Sequence, residues 1–362
     1  MPEFKGKLHE SAVKFPMTDI WNDSCAADEL EYAIERGAVG ATTNPVIVGN
    51  VLKKELPMWE GTIKQLINDM PEATEDDIAW ALIEEMARQR SKLLMPAFEK
   101  FAGKKGRLSI QTNAKYYRDA AKMTEQAIHL GNLAPNMQVK MPTSAAGVKA
   151  FEEATYNGVS INATVCFTVA QAIAVAEAVE RGLKRREAEG KPIDTMAPVC
   201  TIMIGRTDDW CKKSVARDGI CCDPEILEWC GVAVFKHAYE LYKARGYRTR
   251  LLTAAYRNHY HYSQFIGADC CMTITHDWQK KLNESDIVVE ETMSKPVPAD
   301  ILEKLMKYVP EFVKSYDEKA LKEEDFVNYG GFRDTLSGFL AGYDNLICLI
   351  RSYMILDTKK YK

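Results

Sequence analysis

Short runs of apolar and β-branched residues alternate with longer stretches of helical periodicity along most of the chain. The short runs have the length and composition of buried strands. They predict eight strands, at residues 18–23, 39–44, 108–112, 137–141, 160–167, 198–204, 249–256 and 270–275. Because each predicted strand is followed by a helical stretch, the pattern favours a parallel α/β fold, and eight such units most naturally close into a (β/α)8 TIM barrel.

The helical stretches carry recognisable start and stop signals. Residues 26–36 have apolar positions at helical spacing and stop before Gly37, a common C-terminal cap. Thr74 and Asp77 resemble a capping box with Asp in place of Glu, which predicts a long helix running toward Phe101. The same periodicity predicts helices over 145–157, 169–189 and 224–245.

The chain has more residues than the barrel requires. A (β/α)8 barrel typically needs about 250 residues, whereas this chain has 362. Residues 51–106 predict two or more inserted helices, residues 207–223 a polar, cysteine-bearing loop, and residues 297–362 a C-terminal helical extension that covers the barrel mouth. The insertion could cover one barrel end or form an oligomer interface. Since no linker or low-complexity tract interrupts the sequence, we expect residues 1–362 to form a single domain, with barrel strands between about 18 and 275.

Composition and charge narrow the class of protein. A hydrophobic share of 46% excludes an intrinsically disordered chain. With 47 basic and 51 acidic side chains the net charge is −4, so the chain lacks the basic field that nucleic-acid binding requires. No apolar run approaches the roughly 18 residues of a membrane span, and the first residues lack a signal peptide's apolar core. We therefore expect a cytoplasmic protein without nucleic-acid or membrane partners; a homo-oligomer stays open.

The ten cysteines and six histidines do not form a metal-binding or disulfide pattern. No Cys-x-x-Cys pair occurs, and the spacing of His259 and His261 is a weak signal by itself. Neither a phosphate-binding P-loop nor a dinucleotide-binding glycine pattern is present. The sequence therefore predicts reduced, mostly buried thiols and indicates neither a metal nor a cofactor.

Polar residues recur at every second position of several predicted strands, although barrel strands are buried on both faces. The pairs that share a face are Thr42 with Asn44, Ser109 with Gln111, Gln138 with Lys140, and Asn162 with Thr164, while Asp23 ends the first strand. Taken singly, each has an ordinary explanation: a snorkelling lysine, a turn before proline, a helix cap or edge-strand polarity. Together they predict an active site at the carboxyl ends of the strands.

The residue types at these positions suit carbonyl chemistry. A desolvated amine at Lys140 would lose its proton more easily and attack a carbonyl to form a Schiff base. Asp23 is the candidate acid and base for a substrate hydroxyl. Arg206 and Arg257 end the sixth and seventh predicted strands, where a guanidinium could bind phosphate or, equally, pair with a loop carboxylate.

Four motifs resemble those of the transaldolases, a family of class I, Schiff-base aldolases built on a (β/α)8 barrel. They are TTNP at residues 42–45, VKMP at 139–142, INATVCFTVAQA at 161–172 and IGRTDDW at 204–210. The motifs occur in the family's order between about residues 19 and 275. The third is the strongest match, and the second is similar to the family's Schiff-base lysine motif.

The resemblance implies a role for each matching residue. Lys140 would form the Schiff base with the ketose, and Asp23 would take the C4 hydroxyl proton as the C3–C4 bond breaks. Thr164 would position the water that shuttles protons. Asn44 and Asn162 would hold the hydroxyls of the three-carbon unit, while Arg206 and Arg257 would bind the terminal phosphate. Four positions complete the site or depart from the family pattern: Gln111, Thr201, Met203 and Ala255.

The departures bear on substrate and reaction type. Gln111 stands where transaldolases usually have Glu and is similar to the fructose 6-phosphate aldolase branch, whereas Met203 replaces an aromatic residue that this branch expects. Thr201 and Ala255 stand where the family has serines near the phosphate. The resemblance implies transfer of a dihydroxyacetone unit between sugar phosphates of the pentose phosphate pathway, of the sedoheptulose 7-phosphate and glyceraldehyde 3-phosphate type. The alternatives are an aldolase for fructose 6-phosphate, a transaldolase for another anionic ketose, and a non-catalytic sugar-phosphate-binding barrel.

Overall fold

The computed structural model describes residues 3–355, and at its centre eight parallel strands form a closed barrel. Each strand pairs with the next one in the chain, and the eighth pairs with the first. The predicted (β/α)8 barrel is confirmed, and every predicted strand overlaps an observed one. The strands are β1 (Asp19–Asn22), β2 (Gly40–Thr42), β3 (Arg107–Gln111), β4 (Met137–Pro142), β5 (Ile161–Cys166), β6 (Val199–Ile202), β7 (Arg250–Thr253) and β8 (Cys271–Ile274).

Helices surround the barrel and cover part of one end. In chain order they are α1 (Lys7–Lys14), α2 (Ala27–Ile34), α3 (Pro45–Lys54), α4 (Leu56–Asp69), α5 (Glu75–Lys100), α6 (Ala120–Gly131), α7 (Ala145–Tyr156), α8 (Val169–Ala188), α9 (Ile204–Arg217), α10 (Cys230–Arg245), α11 (Tyr260–Ser263), α12 (His276–Asn283), α13 (Ala299–Tyr308), α14 (Pro310–Tyr316) and α15 (Gly330–Met354). Short 3-10 helices occupy Ala114–Tyr116, Pro224–Trp229 and Glu323–Asn328. None of the helices within residues 3–355 is long and apolar enough to cross a membrane.

The predicted capping signals work as expected. The Thr74 hydroxyl accepts a hydrogen bond from the Asp77 backbone N–H at 3.2 Å, and the Asp77 carboxylate accepts one from the Thr74 N–H at 2.8 Å. This reciprocal pair starts α5. Gly37 follows α2 with a positive φ of 90°, a conformation that glycine adopts without a steric penalty. These local signals therefore place two helix ends correctly.

The prediction of a loop over residues 207–223 is wrong for 207–217, because α9 extends from residue 204 to 217, and it is confirmed for 218–223. The buried face of α9 mixes apolar side chains with three polar ones, Thr207, Asp208 and Ser214. These polar residues interrupt the apolar positions at helical spacing, so the apolar pattern by itself does not reveal the helix. The predicted helix over 224–245 likewise begins later, at Cys230, after a 3-10 helix.

The predicted helices of the 51–106 insertion are present, and they brace the segment that follows Asp23. Arg90 on α5 donates to the Glu55 carboxylate at 2.5 Å and to the Cys25 carbonyl at 3.0 Å. Glu55 in turn accepts the Ala27 backbone N–H at 2.8 Å. The side chains of Arg90 and Glu55 are each only 9% exposed. The insertion therefore holds the β1–α2 connection from outside the barrel.

The C-terminal extension covers part of the barrel mouth, as predicted. Phe332 and Phe339 of α15 pack against side chains at the ends of β5 and β6, in a cluster that includes Val165, Phe167, Met203 and Trp210. Farther along α15, the Tyr343 hydroxyl donates to Asp76 at 2.6 Å, which ties α15 to the insertion. The remainder of the predicted extension, residues 356–362, lies outside the described residues.

All ten cysteines are free thiols, and seven of them are buried. Cys221 and Cys348 are exposed, and Cys222 is half-buried. The prediction of mostly buried, unpaired thiols is therefore confirmed. Within the described part of the chain no group of three or more His, Cys, Asp or Glu side chains is arranged to hold a metal ion.

Candidate active site

The polar residues predicted from their period-2 spacing lie in register inside the barrel. Lys140 on β4 pairs with Gln111 on β3 and with Asn162 on β5. Residues in register on adjacent parallel strands point to the same face of the sheet. Asn162 and Thr164 are both fully buried in a closed barrel, so the edge-strand interpretation of these two residues is wrong. Lys140 thus has an amide neighbour on each side.

Lys140 is a buried lysine whose amine has no partner among the residues that the structure describes. Its side chain is 4% exposed, so the snorkelling interpretation is wrong. No hydrogen bond or ion pair from its Nζ to any group within residues 3–355 is formed. Burial lowers the pKa of Lys140 from its usual value, and the charge of Asp23 opposes this shift. The amine is therefore available as a neutral nucleophile at a lower pH than a surface lysine.

Lys236 shows that burial alone does not leave a lysine amine without hydrogen-bond partners. It is 5% exposed, and burial lowers its pKa to about 8. Its ammonium, however, donates to the backbone carbonyls of Thr292, Met293 and Lys295 at 2.9, 3.2 and 2.6 Å. Because all three of its protons are engaged in these bonds, Lys236 is a structural lysine.

Asp23 follows β1 and receives a hydrogen bond from β2. The Thr42 hydroxyl donates to Asp23 Oδ1 at 2.6 Å and is itself 2.6 Å from the Thr273 hydroxyl. Burial raises the pKa of Asp23, while Lys140, Thr42 and Arg206 oppose the rise. The helix-cap interpretation is wrong, since the N-cap of α2 is Ala26, whose side chain forms no capping hydrogen bond. Asp23 can accept and return a proton inside the barrel mouth.

Gln111 is the one site residue whose whole amide is buried without a partner in the described part of the chain. Both Oε1 and Nε2 lie buried and form no hydrogen bond. An unpaired buried amide costs free energy, and native proteins rarely tolerate one without a reason. Since Gln111 is in register with Lys140, its amide is available to a water or ligand beside the amine.

Asn162 on β5 is held by side chains of β3 and β6. Its Nδ2 donates to the Ser109 hydroxyl at 3.1 Å, and its Oδ1 accepts from the Thr201 hydroxyl at 2.7 Å. Ser109 donates to Gln138 at 2.6 Å, which extends this network below Lys140. The hydroxyl of Thr201 is thus used to fix the amide of Asn162.

The two polar atoms of the Asn44 side chain have different surroundings. Its Oδ1 accepts from the backbone N–H groups of Val46 and Ile47 at 3.0 Å each and so caps α3. The turn interpretation of Asn44 is therefore confirmed for the oxygen. Its Nδ2 makes no hydrogen bond within residues 3–355 and remains free for a ligand.

The end of β5 bends where Thr164 and Val165 meet Met203. Val165 has φ of 53°, an uncommon value for a β-branched residue, and the register with β6 shifts between Ala163 and Cys166. Thr164 Oγ1 lies 4.0 Å from Met203 Sδ, so its hydroxyl has only a weak partner. Gln171 braces the bend by donating to the Val165 carbonyl at 3.1 Å.

Arg206 and Arg257 lie close together at the ends of β6 and β7. Arg206 has no ion pair in the described chain, and its Nε is buried without a partner. Burial lowers the pKa of Arg206, and the charge of Arg257 lowers it further. Arg257 is exposed and pairs with Asp209 at 2.8 Å, which confirms the carboxylate alternative for this arginine only. Two adjacent guanidinium groups favour an anion between them.

Gly205 permits this close approach. A Cβ added at Gly205 would lie 1.7 Å from the Ala255 carbonyl oxygen and 2.8 Å from Arg257 Cγ. Ala255 itself has a positive φ of 66°. The start of α9 therefore packs directly on the backbone of the β7 connection, and glycine is the residue that this contact allows.

Two cavities lie next to these residues. One of about 220 Å³ is lined by Asp23 together with Glu29, Lys54 and His276. The other, of about 630 Å³, lies between the start of α7 and α15, and Phe332 is one of its lining residues. Lys140 lines neither of these two cavities. The smaller, polar cavity meets the candidate site at Asp23.

Sequence reasoning missed several partners of the site residues. Thr273 on β8 hydrogen-bonds Thr42 from a position 231 residues away. Its signal was the single polar residue between Met272 and Ile274 in an apolar strand. His261 was considered only for zinc, yet it contacts the backbone of Arg257, four residues before it.

Comparison with known protein families identifies the family of this chain. The family model described as transaldolase/fructose-6-phosphate aldolase matches residues 20–325. The chain belongs to this family. The match begins in β1 and includes every strand of the barrel, whereas α15 lies beyond it.

Several relatives of the transaldolase/fructose-6-phosphate aldolase family are similar to the chain. A transaldolase of Thiobacillus denitrificans is 31% identical over 231 residues, 62% of this chain and 64% of that protein. A transaldolase of Mycobacterium bovis is 26% identical over 239 residues, 65% and 63% of the two chains. One from Thermobifida fusca is 27% identical over 221 residues, 58% and 57%. The chain thus spans less than two thirds of the length of these relatives.

Proposed function

We propose that the protein transfers a dihydroxyacetone unit from a ketose phosphate to an aldehyde acceptor through a Schiff base on Lys140. The observation that carries the proposal is the buried amine of Lys140, which has no partner in the described chain and lies in register with Gln111 and Asn162. A neutral amine attacks a ketone to give a carbinolamine, which loses water to become an iminium ion. This chemistry uses the lowered pKa of Lys140 directly.

The carbon–carbon bond breaks in the next step. Asp23 takes the proton from the C4 hydroxyl, the C3–C4 bonding electrons move to the iminium of Lys140, and an aldose phosphate leaves. The enamine that remains attacks the aldehyde of the acceptor, and Asp23 returns the proton to the new hydroxyl. Hydrolysis of the iminium then frees the product ketose and the amine. The raised pKa of Asp23 suits a group that must both accept and donate the proton.

The remaining residues bind the substrate and move water. The free Nδ2 of Asn44 and the fixed amide of Asn162 bind hydroxyls of the three-carbon unit, with Thr201 holding the amide of Asn162. Gln111 and Thr164 position the water that enters and leaves with the Schiff base. Arg206 and Arg257 bind the terminal phosphate, and Met203 forms part of the adjacent wall. Sugar phosphates are the proposed small-molecule partners.

An aldolase for fructose 6-phosphate is the second candidate, and Gln111 is the observation that favours it. A neutral amide cannot act as a base, so it orients water without removing its proton. An aldolase releases dihydroxyacetone to water, whereas a transferase retains it until an acceptor arrives. The same residues serve both reactions up to the enamine, and they differ in its fate.

Product analysis separates the two candidates. The protein is incubated with sedoheptulose 7-phosphate, with and without glyceraldehyde 3-phosphate, and in parallel with fructose 6-phosphate alone. Fructose 6-phosphate formed only when the acceptor is present supports transfer. Free dihydroxyacetone released from fructose 6-phosphate alone supports the aldolase. No product in any arm, together with binding of the sugars, would indicate a non-catalytic binding barrel and contradict the proposal.

A further inference from the structure

Asp208 and His261 form a fully buried pair behind the exposed Arg257. His261 Nε2 lies 2.7 Å from Asp208 Oδ2, and both side chains are 0% exposed. The other ring nitrogen of His261, Nδ1, accepts the backbone N–H of Arg257 at 3.0 Å. The other oxygen of Asp208, Oδ1, accepts the backbone N–H of Gly231 at 2.7 Å. The pair therefore connects α9, the β7–α11 connection and the start of α10.

These hydrogen bonds define the protonation state of the pair. Because Nδ1 accepts the hydrogen bond of the Arg257 backbone N–H, it cannot carry a proton of its own, so the ring proton must be on Nε2 and point to the Asp208 carboxylate. A doubly protonated ring would place two donors against each other at Nδ1. The nearby amide of Asn258, 3.4 Å from Nε2, uses its protons on Glu228 instead. The His261 ring and the Asp208 carboxylate thus link the backbone N–H groups of Arg257 and Gly231 through one chain of hydrogen bonds.

We propose that Asp208 and His261 are positioning residues that hold Arg257 in the geometry that binds the phosphate of the substrate. The inference rests on the proposed function, in which Arg206 and Arg257 form the phosphate site. Asp208 lies on α9 two residues after Arg206, and His261 fixes the backbone of Arg257. The chain of hydrogen bonds therefore sets the two guanidinium groups relative to each other. The side chain of Arg257 is exposed, but its backbone is fixed by a hydrogen bond to a buried histidine.

The variant Asp208→Asn tests this inference with little change in volume. The Gly231 N–H keeps the Asn oxygen in place, so the new NH₂ group faces Nε2 of His261. His261 must then accept at Nε2 and carry its proton on Nδ1, where it meets the N–H of Arg257. The loss of this backbone hydrogen bond should raise the dissociation constant for inorganic phosphate about fivefold to tenfold, measured by isothermal titration calorimetry.

Three controls separate positioning from general stability. Trapping of dihydroxyacetone on Lys140 does not involve phosphate and should keep its wild-type rate in Asp208→Asn. The adjacent variant Asp209→Asn removes the exposed carboxylate that competes for Arg257 and should tighten phosphate binding. Arg257→Gln should weaken it. If Arg257→Gln has no effect, the proposed phosphate site fails; if Arg257→Gln weakens binding and Asp208→Asn does not, only the present inference is overturned.

If Asp208→Asn fails to fold, a measurement on the wild-type protein still tests the inference. Nitrogen-15 NMR of histidine-labelled protein reports which ring nitrogen of His261 carries the proton, with His261→Gln used for assignment. An unprotonated Nδ1 and a protonated Nε2 support the inference. A proton on Nδ1 overturns it, because the bond from Arg257 could not then exist.

Discussion

Burial shifts the pKa values of Asp23 and Lys140 toward each other, raising that of the carboxyl and lowering that of the ammonium. The charge of each residue opposes the shift of the other, so the two groups are electrostatically coupled across the barrel mouth. The neutral forms of both side chains are thereby favoured. A neutral amine and a carboxyl that exchanges its proton readily are the two groups that Schiff-base cleavage of a sugar requires.

This coupling predicts a pH effect of Asp23→Asn. The negative charge of Asp23 raises the pKa of Lys140, so its removal should lower that pKa further. The acid-side inflection of Schiff-base formation with dihydroxyacetone, followed by cyanoborohydride trapping, should move to lower pH. Asp277→Asn removes an exposed carboxylate that lines the cavity beside Asp23 and should leave the inflection in place. An inflection that moves to higher pH in Asp23→Asn would contradict the coupling.

Substitution by Met should have different effects on the free energy of unfolding at Gln111 and at Gln171. Gln111→Met removes two buried polar atoms without partners and should leave the free energy of unfolding unchanged or raise it by about 1 kcal/mol, while activity falls. Gln171→Met breaks hydrogen bonds to the backbone of Thr143, Val165 and Phe167 and should cost about 2 kcal/mol. Urea unfolding and turnover check both. Equal destabilisation by the two variants would mean that Gln111 has a partner after all.

Gly205 and Gly338 provide a matched test of the close contact at the arginines. Gly205→Ala forces a Cβ against the Ala255 carbonyl and should destabilise the protein by about 1–3 kcal/mol and weaken phosphate binding. Gly338→Ala, on the exposed side of α15, meets nothing within 4 Å and should stabilise by about 0.5–1 kcal/mol. Thermal unfolding measures both. A Gly205→Ala protein as stable as wild type would rule out the packing of α9 on this backbone.

Two substitutions on α5 test whether the insertion stabilises the β1–α2 connection. Arg90→Met leaves the buried Glu55 carboxylate without its cation and should destabilise by about 3–5 kcal/mol. Arg88→Met on the same helix breaks a surface pair with Glu84 and should cost no more than about 0.5 kcal/mol. Because Arg90 also holds the Cys25 carbonyl, turnover should fall with Arg90→Met alone. Similar effects of the two variants on unfolding would argue against the brace.

The barrel could be predicted from sequence because its strands are short apolar runs separated by regular helices. The candidate residues were visible because Lys140, Gln111 and Asn162 interrupt those runs at period-2 positions, which alternate between the two faces of a strand. Helix α9 was missed, since Thr207 and Asp208 interrupt the apolar positions of its buried face.

The partners of the site residues could not be predicted, because they come from distant parts of the chain. Thr273 reaches Thr42 across the closure between the first and last strands, and α15, the last helix of the described chain, packs on the ends of β5 and β6. The partner of His261 was hidden for a different reason: Asp208 lies on a segment predicted to be a loop. Sequence periodicity identifies faces of elements, whereas closure and packing decide which faces meet.

The most direct test of the proposed function is the identity of the lysine that forms the Schiff base. The protein is treated with fructose 6-phosphate or sedoheptulose 7-phosphate and borohydride, digested, and examined by mass spectrometry beside the variants Lys140→Met and Lys236→Met. Lys236 is the matched control, because it is also buried but its ammonium is fully hydrogen-bonded. A reduced adduct on Lys140 that is lost in Lys140→Met and kept in Lys236→Met is the predicted result. No adduct with either ketose, or an adduct that maps to Lys236, would contradict it.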